Sequence, residues 1–434
     1  MHIESQHRIS FPTQLLLQQL SALGRGTRES ISCPAGSSRR QDTGLEVFAA
    51  RTSLPAGSYL RLSTHEVFEP LSTQTLPEKC IAYLQVGRGP LRGRARGWVR
   101  SSGVWRPVER LNLPGAHMRE AALRSEATSQ AVQIASREMQ PGSMIRWSRT
   151  AGALGRENYA RAAGLKIGIV GLGRLGSLLA SRLVRFGVRR MVVADPDRVE
   201  QHNTGEGEFE PLQEGLLKVH AWTRHITRTY PGLELVPVGD TITSLAAVDA
   251  LKGCDLLFSV PDQAGARLAA AGLAAAYCRP LIDVGSHVHR EGLTSMGADI
   301  RLITPERCLL CFGSVARETE GVRLLESPDE EDRLMAFRDW RQERPGSLAS
   351  LNMTAAGIAL RMFEDLVSGR IETSLWCHIE FHENGQLQVS YPTPQARGTS
   401  LACACAISGW GDAGPGQFAN ILRRRQSTPI EVPR

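Results

Sequence analysis

The stretch Lys166–Asn203, KIGIVGLGRLGSLLASRLVRFGVRRMVVADPDRVEQHN, constrains the fold more than any other. Lys166 to Val170 is a short apolar run rich in β-branched residues. Gly171, Gly173 and Gly176 follow in G-x-G-x-x-G spacing. Leu175, Leu178, Leu179, Leu183 and Phe186 then recur at helical intervals, and Gly187 stops the helix. Met191 to Ala194 is a second strand, ending on Asp195. The pattern is a β-α-β unit with a dinucleotide-type turn. Gly171 allows the tight turn, Gly173 lets a phosphate approach the backbone, and Gly176 permits close helix–strand packing. The N-terminus of the helix offers free N–H groups and partial positive charge to an anion.

Taken alone, this turn fits an NAD site in which Asp195 accepts both ribose hydroxyls. A dehydrogenase gives no reason for the residues beyond it. Asp195 is succeeded by Asp197, Val199 and Asn203, in D-x-D-x-V-x-x-x-N order. Lys218 comes fifteen residues later, and Asp262 and Arg267 come after a third strand, CDLLFSV. Arg146-Trp147-Ser148-Arg149 precedes a helical stretch, ALGRENYARAAGL. From about Ile145 to Cys405 this set resembles the ThiF family, the adenylating core of ubiquitin-activating and sulfur-carrier-activating enzymes.

The resemblance implies an α/β fold: a Rossmann-like adenylation domain with a mainly parallel sheet and helices on both faces. It implies that Gly171, Gly173, Arg174, Gly176, Asp195, Asp197, Asn203 and Lys218 line an ATP site. Lys218 would meet the α- and β-phosphates, Asn203 would donate to a phosphate oxygen, and Asp262 would hold Mg2+. Arg267 would brace the Asp262 loop. Arg149 matches the arginine that, in the family, crosses a homodimer interface to the neighbour's phosphates. Two departures stand out. Glu206 occupies a position where relatives carry an arginine, and a carboxylate there cannot neutralise a triphosphate. Arg174 replaces the third glycine of the usual G-x-G-G-L-G.

Cys308-Leu-Leu-Cys311 has the half-site spacing of tetrahedral zinc. The family places a second cysteine pair near the C-terminus, after a long helix and a strand pair. Ser350 to Val367 reads as that helix, and SLWCHIEF and QLQVSY flank a hairpin turn at Asn384-Gly385. Cys403 and Cys405 come next, so Cys308, Cys311, Cys403 and Cys405 are the expected structural Zn2+ ligands. The spacing C-x-C departs from the usual C-x-x-C. His287-x-His289 also has metal-like spacing, but no third ligand lies near it in sequence, and it reads as a plain strand end. Residues 312–346 match the loop that crosses over the active site. No cysteine falls in 312–376, so no thioester nucleophile is assigned; Cys377 and Cys80 are the remaining candidates.

Length and composition bound the rest. A chain of 434 residues has room for two or three domains. No apolar run reaches the ~18 residues of a membrane helix. The N-terminus lacks a signal-peptide pattern, and nine cysteines including a C-x-x-C favour metal over disulfides in a cytoplasmic protein. Residues 1–150 hold 20 Lys and Arg against 11 Asp and Glu, whereas the remainder holds 31 against 33. The basic run RGPLRGRARGWVR reads as a solvated strand pair rather than a nucleic-acid dock, since Arg92, Arg94 and Arg96 share one face at period two.

The expected organisation is a loosely ordered segment 1–44, a small α+β domain 45–139, the adenylation domain 140–408 and a tail 409–434. SYLRLS, CIAYLQV, GWVRS and RPVERLNL read as strands of the small domain, HEVFEPLSTQTLPE as a helical stretch and Arg119 to Met139 as a linking helix. The arrangement is similar to the Mov34/JAB fold without its H-x-H metal signature, which implies a binding or positioning role. The function implied is ATP-dependent adenylation of the C-terminal carboxylate of a ubiquitin-like (β-grasp) carrier, by a homodimer acting ahead of a downstream conjugating enzyme. The extra N-terminal domain and the N-x-G-E variant bring the chain nearest to activating enzymes of bacterial ubiquitin-like conjugation operons. Sulfur-carrier activation, a non-catalytic scaffold subunit and an NAD(P)-dependent oxidoreductase are the alternatives.

Overall fold

The computed structural model describes residues 145–312, 348–393 and 404–415 with few omissions, together with the strands and some loop residues between 8 and 122. Two sheets carry these residues. The first has nine strands: β1 (Arg8–Ser10), β2 (Ser30–Arg40), β3 (Gly44–Ala49), β4 (Tyr59–His65), β5 (Cys80–Gly87), β6 (Ala95–Ser101), β7 (Val104–Pro107), β8 (Arg110–Leu113) and β9 (Arg119–Ala122). Their order is β7-β6-β5-β4-β2-β3-β1-β8-β9. Leu60, Leu62, Ala82, Leu84 and Val99 alternate along their strands and bury one face.

This sheet departs from the sequence reading in two places. Segment 1–44, expected to be loosely ordered, supplies β1 and the sheet's central strand β2. Arg119–Ala122 pairs with β8 as a strand rather than opening a helix; the rest of that expected helix, 123–139, lies outside the described residues, as does most of the expected helical stretch 65–78. β1 is three residues long and its partners, β3 and β8, come from distant sequence, so it carries little local signature: its partners and not its own pattern stabilise it.

The second sheet is built on β10 (Lys166–Val170), β11 (Arg190–Ala194), β12 (Glu234–Val238), β13 (Leu256–Ser259) and β14 (Leu281–His289), all parallel. It continues antiparallel through β15 (Ser295–Ile303), β16 (Leu375–Phe381) and β17 (Leu387–Ser390), in the order β12-β11-β10-β13-β14-β15-β16-β17. Seven helices accompany it among the described residues: α1 (Ser148–Leu154), α2 (Arg156–Gly164), α3 (Arg174–Phe186), α4 (Lys218–Thr229), α5 (Leu245–Leu251), α6 (Ala264–Ala276) and α7 (Ala349–Ser368). The expected α/β architecture is the observed one.

Burial explains the layers. Ile167, Ile169, Met191, Val193, Leu256 and Phe258 face one side and pack with α3, α4 and α7. Val170, Val192, Ala194 and Leu257 face the other and pack with α5 and α6. Strands buried on both faces read as continuous apolar runs, which is the pattern of β10, β11 and β13. The chain fills the sheet outward from β10 in one direction, then returns to add β13 and β14 on the other side. Beyond the carboxyl ends of β10 and β13 the two connections part, and this reversal opens a crevice where ligands of such sheets bind. No helix among the described residues is long and apolar enough to cross a membrane.

Candidate active site

The glycine turn sits at that crevice. Gly171 has φ +89°, and a Cβ there would come within 2.8 Å of the Pro261 nitrogen and 2.9 Å of the Val260 carbonyl carbon. Only glycine adopts that backbone at that distance. A Cβ on Gly176 would lie 2.1 Å from the Gly171 carbonyl oxygen, so helix and turn touch through bare backbone. At Gly173 the same construction meets nothing within 4 Å. The first turn of α3 therefore has open space beside it. The Arg174 guanidinium donates to the His202 carbonyl (2.9 Å), which ties the start of α3 to the loop after β11.

That loop is organised around Asp195. Its carboxylate is buried and accepts from Leu172 N (2.5 Å) in the glycine turn and from Asp197 N (2.8 Å). It points inward, holding the turn, rather than outward to a ribose. Asp197 is the outward acid. It accepts from the Lys218 ammonium at 2.6 Å, and its carbonyl accepts from Lys218 N at 2.9 Å. Lys218 is the first residue of α4 and is itself buried. Burial pulls its ammonium down, but Asp195, Asp197 and Asp262 outweigh that and hold its pKa above the ordinary lysine value. Burial pushes Asp195 above the usual carboxylate range, against the attraction of Lys218. Lys218 is thus a cation kept charged at the mouth of the crevice.

Asn203 is buried within a short turn, Gln201–Asn203. Its Oδ1 accepts from Glu200 N (2.9 Å), and its Nδ2 lies 2.9 Å from the His202 ring. His202 in turn lies 3.3 Å from the Glu200 carboxylate. Glu206 lies outside the described residues. Asp262 is exposed just after β13, and its charge is felt at Lys218.

Arg267 does not brace the Asp262 loop. It reaches from α6 to β14, where its guanidinium donates to both oxygens of fully buried Asp283. Arg301 on β15 joins Asp283 (3.3 Å) and Asp299 (2.9 Å), and Asp299 also accepts from Trp376 Nε1 (2.8 Å) and lies 2.9 Å from His378 Nδ1. Burial pushes the Asp299 carboxyl up, but Arg301, His378 and Trp376 together hold it below the usual range. Sequence reasoning missed this charged layer. Its signal was alternation alone: Asp283, Gly285 and His287 on one strand, Gly297, Asp299 and Arg301 on the next. His287 turns across the strands to lie parallel to the His378 ring at 6.2 Å, over the space that Gly297 leaves.

Arg149 is exposed on α1. Trp147, just ahead of it, donates its indole N–H to the Arg185 carbonyl (2.7 Å) in the last turn of α3. Helix α3 has 13 residues, roughly 20 Å of length. Arg149 therefore sits near the end of α3 opposite the glycine turn. It lines an open cavity of about 480 Å³ with Arg361, Glu364 and Arg370 of the α7 end.

Residues 147–358 match the ThiF family model. The chain carries a ThiF family domain. It is similar to ubiquitin-like modifier-activating enzyme 5 of Drosophila persimilis, 32% identical over 125 residues, covering 26% of this chain and 33% of that protein. The Gallus gallus enzyme of the same name is 30% identical over 125 residues, covering 26% and 32%. The match spans about a third of the length of these curated relatives. Among solved structures, Escherichia coli MccB with ATP aligns at 15% identity and TM-score 0.44, covering 58% of this chain and 72% of that one.

The ThiF domain match takes in the glycine turn, the acid loop, Lys218, Asp262 and the first cysteine pair. Cys405 lies beyond it yet returns to that pair. The Sγ atoms of Cys308 and Cys311 are 3.8 Å apart, those of Cys311 and Cys405 are 3.6 Å apart, and all three lie within 4.8 Å of one another. Thiolates around a tetrahedral zinc, with Zn–S near 2.3 Å, are spaced about 3.8 Å apart. The three thiols fit that ion. Cys403, the fourth expected ligand, lies outside the described residues, as does the expected crossover loop except Phe312 at its start. Cys377 and Cys80 are buried, and burial raises both thiols, the opposite of an activated nucleophile.

Proposed function

We propose that this chain adenylates the C-terminal carboxylate of a ubiquitin-like carrier at the expense of ATP. The observation that carries this reading is Lys218. A buried lysine is held charged by three acids, and one of them, Asp195, also fixes the glycine turn. A site that keeps a cation beside an open helix N-terminus is built for a polyphosphate. A nicotinamide dinucleotide would call for an acid turned out to the ribose at the end of β11, and Asp195 is turned in.

In the proposed reaction the carrier's carboxylate oxygen attacks the α-phosphorus in line. The bond to the bridging oxygen breaks, and pyrophosphate leaves with its electron pair. No proton has to move, so the chain's task is placement and charge. The N–H groups at the start of α3, beside Gly173, hold phosphate oxygens. Lys218 meets the α- and β-phosphates, and Asn203, its Oδ1 already committed to Glu200 N, donates from Nδ2. Asp262 would hold Mg2+, which supplies charge neutralisation across the phosphates. Arg149, at the far end of α3 from its own glycine turn, serves the site of a second copy in a homodimer.

The relatives named as ubiquitin-like modifier-activating enzymes support a ubiquitin-like substrate. The N-x-G-E sequence after the acid pair and the extra N-terminal sheet favour a bacterial conjugation pathway over sulfur-carrier activation. The test is ATP–pyrophosphate exchange with Mg2+, with and without a candidate small β-grasp carrier protein from the same organism. Carrier-dependent exchange is expected. ATP binding without exchange in the presence of the right carrier would leave a scaffold subunit instead.

A further inference from the structure

The three gathered cysteines stand at one end of a short segment whose other end enters the N-terminal sheet. From Cys405 the chain makes the turn Ala404–Ile407, with Ala404 and Ile407 fully buried among the residues of α6. Gly409 N then donates to the Ala275 carbonyl (3.1 Å) and Gly411 N to the Ala276 carbonyl (2.9 Å), at the C-terminal end of α6. One residue on, Asp412 N donates to the Ser37 carbonyl (3.0 Å), and Gly411 and Ser37 form a parallel β-bridge. Ser37 lies in β2, the central strand of the nine-stranded sheet. Over Ser30–Pro34 that strand pairs with β4, and over Ala35–Arg40 with β3. The bridge thus joins the stretch of β2 where pairing with β4 has ended.

The junction is closely built. Gly411 has φ +60°, and a Cβ there would lie 2.4 Å from the Ser37 carbonyl oxygen. The Asp412 carboxylate accepts from the Tyr277 hydroxyl (2.8 Å) and from Lys252 Nζ (3.3 Å). Beside it, fully buried Phe48 of β3 packs edge-on against Tyr277 at 5.7 Å, under the Arg279 guanidinium at 5.6 Å. The segment from Cys405 to Asp412 has no helix or strand longer than one turn or bridge to order it. Its conformational entropy is restrained along its length by the burial of Ile407 and the bonds to the end of α6, and beyond that from its two ends. One end is the cysteine cluster and the other is β2.

We propose that the cysteine cluster is a metal-dependent clamp that docks the N-terminal sheet onto the ThiF domain. This rests on the three thiols being zinc ligands and is independent of the adenylation chemistry. With zinc held by Cys308, Cys311 and Cys405, residues 404–412 are fixed against α6 and present their backbone to Ser37. Without it, the tether slackens, and β2 and β3 lean on contacts such as those of Phe48.

The test is hydrogen–deuterium exchange on the full-length protein, zinc-loaded and after chelation, with zinc measured per chain in each sample. Chelation is expected to raise exchange at least tenfold in peptides covering 404–412 and β2–β3, while β10 stays protected. Gly411→Ala should keep its zinc yet show the same rise, because it breaks the bridge without touching a thiol. Unchanged protection of β2–β3 in the zinc-free protein overturns the clamp. So does an equal rise in β10, which would make the metal a support of the whole fold. A protein that binds no zinc overturns it too, and leaves the adenylation reading to be judged by pyrophosphate exchange.

Discussion

The Lys218 ammonium donates to the Asp197 carboxylate at 2.6 Å, while the backbone N–H of the same lysine donates to the Asp197 carbonyl at 2.9 Å. The acid loop and the first turn of α4 are therefore fastened twice at one residue pair. Lys218→Met keeps the second bond and removes the charge. Pyrophosphate exchange is expected to fall by about 10²–10³-fold, in line with loss of one preorganised charged donor, with the circular dichroism spectrum retained. Exchange at the parent rate would remove Lys218 from the chemistry.

Two glycines of the turn, Gly173 and Gly176, should separate fold from binding. Gly176→Ala places a methyl 2.1 Å from the Gly171 oxygen and should cost stability of about 1–3 kcal/mol, read as a lower denaturant midpoint. Gly173→Ala meets no protein atom and should leave that midpoint in place. It should instead weaken ATP binding, measured by calorimetry, because the methyl fills the space offered to phosphate.

Arg149 sits at the end of α3 remote from the glycine turn, so its action should be intermolecular. Arg149→Ala and Lys218→Met are each expected to be strongly impaired alone. Mixed and allowed to exchange subunits, they should regain part of the parent exchange rate, since one heterodimer site then holds both residues. No recovery, with heterodimers shown by mass spectrometry, would place Arg149 outside the reaction.

Acid should loosen the charged layer between α6 and β14–β16. Asp299 has its carboxyl held below the usual range by Arg301, His378 and Trp376 in spite of burial. A depressed carboxylate lends stability that is fully present above its unfolded value, near 3.9, and is lost as pH falls through the folded value. Asp299→Asn should remove this contribution, so parent and variant should differ in stability above about pH 5 and converge as pH falls through the folded value. Parallel unfolding curves at all pH values would assign Asp299 no such part.

Much of the site was legible in the chain because it is local. Gly171, Gly173 and Gly176 act on one another across a single turn, and Asp195 and Asp197 flank the same strand end. Spacing alone encodes such contacts. The acid pair also illustrates the limit: spacing placed both carboxylates at the crevice, but it did not tell that Asp195 turns in to hold Leu172 while Asp197 turns out to Lys218. That choice depends on which backbone N–H groups the folded turn presents.

The β-α-β unit, the parallel sheet around it and the residue types at its head were written in the order of the residues, because 3.6- and 2-residue periodicities record burial directly. The long-range pairings were settled by folding in three dimensions. Arg267 found Asp283, Cys405 returned to Cys308 and Cys311, and Ser37 took Gly411 as its neighbour across more than 370 residues. Each is a contact between segments whose own patterns are satisfied by several partners, and the packing of α6 against the sheet is what selects one.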